Sequence, residues 1–248
     1  ATLALGAGAH ALGQPTALTG AGTRTVLAPA GASVRIQGMA RPEGAGNVIL
    51  VISGDGDVSV EGAIGDLGTS GTSFGRVGPG GTTSLLGLNA FGGTVNVDNG
   101  TLVVNTIRDG QPSSIGTGAL TGALINPGLA ADSGTLRYVG SDDAVTARQI
   151  RVGRGTAATD TGGAVIENAG PGTLTLSAPQ LIFPTNDTAA RELTVGGSGA
   201  GAVSGVISDM SATGGTLALA KAGAGTWLLA GANTYTGPTT VAGGTLVI

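Results

Sequence analysis

The sequence predicts an all-β fold, a single-stranded right-handed parallel β-helix in which residues 1–248 form one unit. Three observations lead there. Short runs of β-branched residues and leucine recur along the chain, and no segment keeps the 3.6-residue apolar period of a helix over three turns. Glycine supplies 49 of the 248 residues, about three times its ordinary share, and it falls between those runs, where tight turns are needed. The chain also repeats itself, as stacked β units do.

Taken in order, residues 1–47 are rich in Ala, Gly and Thr, with short β-like pieces at Thr23 to Leu27 and Ser33 to Gln37. A continuous apolar run, Val48 to Ile52, opens a better-defined region that continues through Gly80 to Val104. Residues 105–133 carry Gly, Pro, Ser and Asn at close intervals and read as loop with short strands. A second ladder follows at 134–140, Ile150 to Val152, Ala164 to Ile166, Thr173 to Leu176 and Leu193 to Val195. The chain closes on Gly223 to Ile248, where two apolar β runs, Trp227 to Leu229 and Thr245 to Ile248, flank turn-forming Gly, Asn, Thr and Pro.

Two regions, about 52–104 and 195–248, read as copies of one unit. Gly62, Ile64 and Asp66 recur as Gly205, Ile207 and Asp209, and Thr83, Leu85 and Leu86 recur at the same separation as Thr226, Leu228 and Leu229. After a one-residue slip, Asn89, Phe91, Gly93, Val97, Gly100, Thr101 and Leu102 pair with Asn233, Tyr235, Gly237, Val241, Gly244, Thr245 and Leu246. A smaller echo relates Ala147, Arg148, Ile150 and Val152 to Ala190, Arg191, Leu193 and Val195.

Strands of this spacing also suit a sandwich, but the repeats favour a solenoid. Gly-Thr-Leu occurs at 100–102, 134–136, 172–174, 215–217 and 244–246, which suits a corner glycine, an outward Thr and an inward Leu. With about 20 to 25 residues per coil, roughly ten coils and a rod of roughly 50 Å are expected. Asn89, Asn96, Asn99 and Asn233 are expected to satisfy backbone groups in turns.

Composition excludes several function classes. The net charge is −4, the basic residues are scattered, and no cationic run exists to neutralise phosphates, so nucleic acid is not an expected partner. The chain has no cysteine, which removes disulfides and thiolate metal sites. Its longest apolar run is far shorter than the roughly 20 residues of a membrane helix. A basic start followed by a long apolar stretch is missing at Ala1, so any targeting segment is expected outside this sequence. The chain is likewise expected to continue past Ile248, where the repeat stops in mid-pattern.

The segment Lys221 to Ile248, KAGAGTWLLAGANTYTGPTTVAGGTLVI, resembles the autotransporter-associated β-strand repeat of passenger domains from bacterial type V secretion proteins. That family's pattern, K-x-G-x-G-T-L-x-L-x-G-x-N-T-Y-x-G-x-T-x-V-x-x-G-x-L, is met except at Trp227, where it has Leu. The earlier copy from Gly80 is degenerate, lacking the Lys and one residue and carrying Phe91 for Tyr. Residues 134–140 with 146–153 look like spacer sequence of large autotransporter adhesins. The resemblance implies an exported parallel β-helix at the cell surface or secreted. It implies as partner an outer-membrane β-barrel translocator in the same parent chain, and it implies no cofactor and no particular ligand.

Candidate chemistry is thin. Gly71-Thr-Ser73-Phe-Gly75 fits the G-x-S-x-G nucleophile pattern, but that order needs a His after the Ser and the one His is His10. Asp55, Asp57 and Asp66 have calcium-loop spacing, yet Val60 stands where the sharp-turn glycine belongs. Asp142, Asp143, Asp187 and Asp209 are the acids that a polysaccharide-cleaving β-helix would have to gather on one face. The six aromatics are too scattered for a sugar platform, and Trp227 and Tyr235 read as packing or coil-end residues. Arg137, Arg148, Arg151 and Arg154 offer an anionic-glycan patch as one reading, but a solvated β face on the surface is the preferred one.

The reading is therefore a structural or adhesive passenger segment with no catalytic, cofactor or metal residues, meeting a host or abiotic surface, a glycan or itself. Two alternatives stand beside it: a self-associating filament or biofilm component joined through open coil ends and strand edges, and a polysaccharide-degrading enzyme on the same fold.

Overall fold

In a computed structural model the chain is described over residues 1–13, 16–17, 21–40, 47–65, 67, 72–78, 80–118, 125–128, 132–153, 161–182, 188–211 and 214–248. Among these residues the regular structure is β strand throughout, and the paired strands are parallel. The fold is a β-solenoid, a parallel β-helix with three sides.

The first side stacks Thr2–Ala4, Gly22–Leu27, Val48–Ser53, Thr72–Val77, Thr94–Val97 and Ile125–Pro127 in that order. Isolated parallel bridges carry it on from Ile125 through Ile150 to Ile182. The second side is a ladder of ten strands: Gly8–Leu12, Ala32–Ile36, Asp57–Val60, Thr82–Leu85, Gly100–Val104, Gly134–Tyr138, Ala164–Asn168, Arg191–Gly196, Leu217–Lys221 and Thr239–Val241. Thr16–Ala17 and Met39–Ala40 begin the third side, and Ala144–Thr146, Leu174–Leu176, Gly201–Val203, Thr226–Leu229 and Thr245–Val247 form its long C-terminal part. The ten-stranded side is about 43 Å from first strand to last at about 4.8 Å per strand.

Alternation in the sequence becomes alternation across each side. Leu102, Leu136, Ile166 and Val195 stack in successive coils as register neighbours, and all are fully buried. Each contributes about 1.5 to 3 kcal/mol of burial, so the narrow core is held by the sum of many equivalent layers. Thr101 and Thr135, one residue earlier, are register partners on the outer surface. Gly-Thr-Leu thus works as expected, and it serves two kinds of corner: Leu102, Leu136 and Leu217 enter the second side, whereas Leu174 and Leu246 enter the third.

Corners explain the glycine content. Gly100 and Gly134 are register partners at the entrance to the second side, and a Cβ on Gly134 would lie 1.7 Å from the carbonyl oxygen of Val97. No side chain fits where one coil's corner rests on the last.

Coil length is less uniform than expected. On the second side Thr82 faces Thr101, but Thr101 faces Thr135, because segment 105–118 lengthens that coil. Asn96 also departs from its expected turn position, lying within the strand Thr94–Val97 and largely buried.

The two similar regions differ in placement. Thr94–Val97 and Gly100–Val104 occupy the first and second sides, whereas their sequence counterparts in Thr239–Val241 and Thr245–Val247 occupy the second and third. Burial also moves the slip between them. Thr83 and Leu85 are buried like Trp227 and Leu229, while Leu86 is exposed and Leu229 is not, so the inward positions match only when the slip falls before Thr83.

Candidate functional site

The polar chemistry of this chain is concentrated at the corners and points inward. Among the described residues Arg76, Arg148, Arg191 and Lys221 are buried. Buried charge is costly unless its donors are satisfied, and here main-chain carbonyls do much of that work. Arg76 donates to the carbonyls of Val77, at 2.5 Å, and Gly54, at 2.6 Å. Burial pushes its guanidinium pKa below the ordinary value, while Asp55 and Asp57 pull it back. Arg191 donates to Gly162 O at 2.8 Å.

Lys221 replaces an apolar residue in the inward column of the second side, between Val195 and Val241. Its ammonium donates to the carbonyl oxygens of Ala222 (2.6 Å), Gly223 (2.9 Å) and Gly243 (3.0 Å), so one cation ties two successive corners. Burial lowers its pKa.

Arg148 fastens the long coil. Its guanidinium donates to Ile115 O at 2.8 Å and Gly116 O at 3.1 Å, and pairs with Asp109 at 3.3 Å. Asp109 in turn accepts from Thr146 Oγ1 and from the amide of Ala147. Burial lowers the Arg148 pKa and the Asp109 charge opposes that shift.

Asparagine and aspartate side chains complete other corners. Asn89 Oδ1 accepts from the Ile64 amide at 2.7 Å, and Asn233 Oδ1 accepts from the Ile207 amide at 2.9 Å, the same contact in both similar regions. Asn99 caps its neighbour Gly100 at 2.6 Å. Tyr138 donates to the Asp142 carbonyl; burial, then the nearby Asp142 and Asp143 charges, raise its pKa. Asp209 accepts from the amides of Leu217 (2.8 Å) and Thr236 (3.0 Å) and from Thr236 Oγ1 (2.8 Å). Burial alone would raise the Asp209 pKa, but those hydrogen bonds outweigh it and hold the carboxyl below its ordinary value.

The candidate residues from the sequence do not converge. Asp143 Oδ1 caps the Thr173 amide at the corner leading to Leu174–Leu176 on the third side, whereas Asp209 caps Leu217 at the corner leading to the second. Asp187 lies outside the described residues. Asp57 Oδ1 accepts from the Thr82 amide at 2.8 Å, and Asp66 lies outside the described residues. Ser73 belongs to Thr72–Val77 on the first side, while His10 belongs to Gly8–Leu12 on the second, where its Nε2 meets Gly6 O at 2.9 Å. Among the described residues no group of three His, Asp or Glu comes together.

The arginines separate likewise. Arg137 faces outward on the second side and pairs with Glu167, its register partner, at 2.6 Å. Arg148 is consumed inside, Arg151 follows the first-side bridge at Ile150, and Arg154 lies outside the described residues. Trp227 is fully buried with its indole N–H donating to Gly196 O at 3.0 Å, and Tyr235 packs on the core with its hydroxyl 2.7 Å from Thr239 Oγ1. Sequence reasoning missed the inward cations. Their signal was present in Lys221, a charged residue in an alternating apolar strand beside a Gly-rich corner.

Residues 219–248 match a family model described as passenger-associated-transport-repeat. The chain is 34% identical over 198 residues to the adhesin BmaC autotransporter of Brucella suis biovar 1 (strain 1330). That match takes in 79% of this chain and 5% of the relative's length. No solved structure matches the chain. The C-terminal coils, with their Lys221 clamp and Asn233 cap, thus match the passenger-associated-transport-repeat, and most of the chain is similar to a short part of an adhesin autotransporter.

Proposed function

We propose that this chain is a non-catalytic rod within the passenger of a bacterial autotransporter, surface-exposed or secreted through the outer membrane. The parent chain supplies a β-barrel translocator, and the rod serves as an adhesin stalk that displays or contributes a binding surface. The observation that carries this reading is where the ionic groups go. Arg76, Arg148, Arg191, Lys221, Asp57, Asp143 and Asp209 are engaged in holding corners. A glycosidase needs two carboxylates about 5 to 10 Å apart across a groove, and Asp143 and Asp209 guard different corners. The similarity to an adhesin autotransporter supports the same reading.

Fusing the chain to a β-barrel translocator in a Gram-negative cell tests it. The expected outcome is a segment cleaved by external protease in whole cells, greater retention of the cells on coated surfaces, and no soluble fragments released from polysaccharides. Sugar release, or retention of the segment in the periplasm, would overturn it.

A further inference from the structure

The outer surface of the second side is hollowed over three coils near its N-terminal end. Two outward columns line the hollow: Ser33, Asp57 and Thr82 in one, Arg35, Ser59 and Ser84 in the other. Later coils fill the second column with Val103, Arg137 and Glu167. Two successive serines therefore leave a gap that longer side chains close elsewhere, an open hollow of about 230 Å³.

The polar groups around it are held in place but not used up. Asp57 Oδ1 accepts from the Thr82 amide, while Oδ2 has no partner among the described residues. Arg35 is fixed on Glu61 through Nε (2.9 Å) and Nη2 (3.0 Å), which leaves Nη1 without a partner among the described residues. The hydroxyls of Ser33, Ser59, Thr82 and Ser84 are likewise unengaged there. These groups sit on rigid strands, so a ligand would lose little affinity to ordering them.

We propose that the hollow binds one ring of a neutral saccharide. Sugar hydroxyls both donate and accept, which suits a wall of four hydroxyls with one free carboxylate oxygen and one free guanidinium nitrogen. Asp57 accepts from the sugar and Arg35 donates to it, both in charge-assisted bonds. Asp57 and Glu61 against Arg35 leave one net negative charge beside the hollow, which disfavours an anionic sugar. A peptide would have to add as a strand, but both edges of each of these three strands are taken by neighbouring coils. The volume is below the roughly 300 to 1,000 Å³ of a drug-sized pocket, so a single ring is what fits. No aromatic residue lines the hollow, so hydrogen bonds alone hold the sugar and a Kd of about 1 to 10 mM is expected. One carboxylate lines it, so the sugar is bound and not cleaved. The site deepens the adhesin-stalk reading and rests on it for its use at a cell surface, where many displayed copies multiply a weak contact.

Titration of the purified, isotope-labelled chain with the methyl glycosides of glucose, galactose, mannose and N-acetylglucosamine, followed by amide NMR shifts, is the test. At least one should move the amides of Ser33 to Arg35, Asp57 to Ser59 and Thr82 to Ser84, and glucuronate should bind more weakly. Ser59→Leu fills the hollow from the outside and should weaken binding tenfold or more. Asp57→Asn keeps an oxygen for the Thr82 amide but replaces the free acceptor with a donor, and should weaken binding severalfold. Thr240→Leu, outward near the other end of the same side, should change nothing. No shifts with any of the four sugars, binding unchanged by Ser59→Leu, or tighter binding of glucuronate or of methylamine would overturn the proposal. Failure of this titration leaves the whole-cell retention test of the stalk untouched, and failure of retention leaves the titration untouched.

Discussion

The indole of Trp227 fills the space that a side chain on Gly201 would occupy. The two are register partners on the third side, and a Cβ on Gly201 would lie 2.4 Å from the indole Cε2. Large and small residues are therefore matched across successive coils, and the match predicts coupling. Trp227→Leu should cost about 2 kcal/mol through the void it leaves. Gly201→Ala should cost about 1 to 3 kcal/mol by overpacking. The double variant should lose at least about 1 kcal/mol less than the sum, because each change relieves the other. Urea unfolding of the four proteins checks this, and strict additivity would show that the two sites do not share their space.

Asn89 and Asn233 make the same backbone contact in different surroundings, which predicts unequal costs. Asn89 is fully buried, and besides the Ile64 amide it bonds Ser114 O through Nδ2 at 2.7 Å. Asn89→Ala leaves two buried main-chain groups unpaired and should cost about 2 to 4 kcal/mol. Asn233 lies nearer solvent, so water can replace it and Asn233→Ala should cost about 1 kcal/mol. Amide exchange at Ile64 and Ile207 follows each loss locally. Equal effects at the two positions would refute the dependence on burial.

Arg148 fixes the longest coil to its neighbour, so its removal should act on segment 105–118 first. Its side chain is 4% exposed and that of Asp109 is 36% exposed. Arg148→Met strands the carbonyl of Ile115, leaves that of Gly116 with only its Ser113 hydroxyl donor and leaves Asp109 able to rehydrate, so a loss of about 3 kcal/mol is expected. Arg148→Lys should rescue little, since an ammonium cannot reproduce the guanidinium fork over two carbonyls and a carboxylate. Limited proteolysis should cut within 105–118 earlier in both variants. Unchanged cleavage there would mean that the segment is held by other contacts.

The solenoid was legible because alternation and corner glycines state it locally, one coil at a time. Gly100-Thr101-Leu102 reads correctly as corner, outside and inside without knowledge of any other coil. What the residues do across coils was not legible in the same way. Leu228 looks like the counterpart of Leu85 by composition, yet Leu85 is buried and Leu228 is exposed, because a one-residue slip reverses the face of every residue in a strand. The long coil after Val104 is followed by the second repeat region on a different pair of sides, which no local pattern records. Arg148 suggested a surface patch for the same reason: its carbonyl partners lie in segment 105–118, which contact order hides from a linear reading.

Asp209 makes stability depend on acid pH with a defined sign. Its folded pKa lies below the ordinary 3.8, because the amides of Leu217 and Thr236 and the Thr236 hydroxyl stabilise the carboxylate against the opposing effect of burial. A depressed folded pKa gives stability that is fully present above the unfolded value and is lost as pH falls through the folded one. The contribution should therefore be constant from neutral pH down to about 4 and fade below it. Asp209→Asn should lower stability at neutral pH by about 1 kcal/mol, the worth of a weakened hydrogen-bond set. Below pH 4 the variant and the parent should converge as pH falls through the lowered Asp209 pKa, since protonation leaves the parent, like the variant, with a neutral side chain there. A difference that stayed constant across the acid range would mean that Asp209 acts through shape and not through charge.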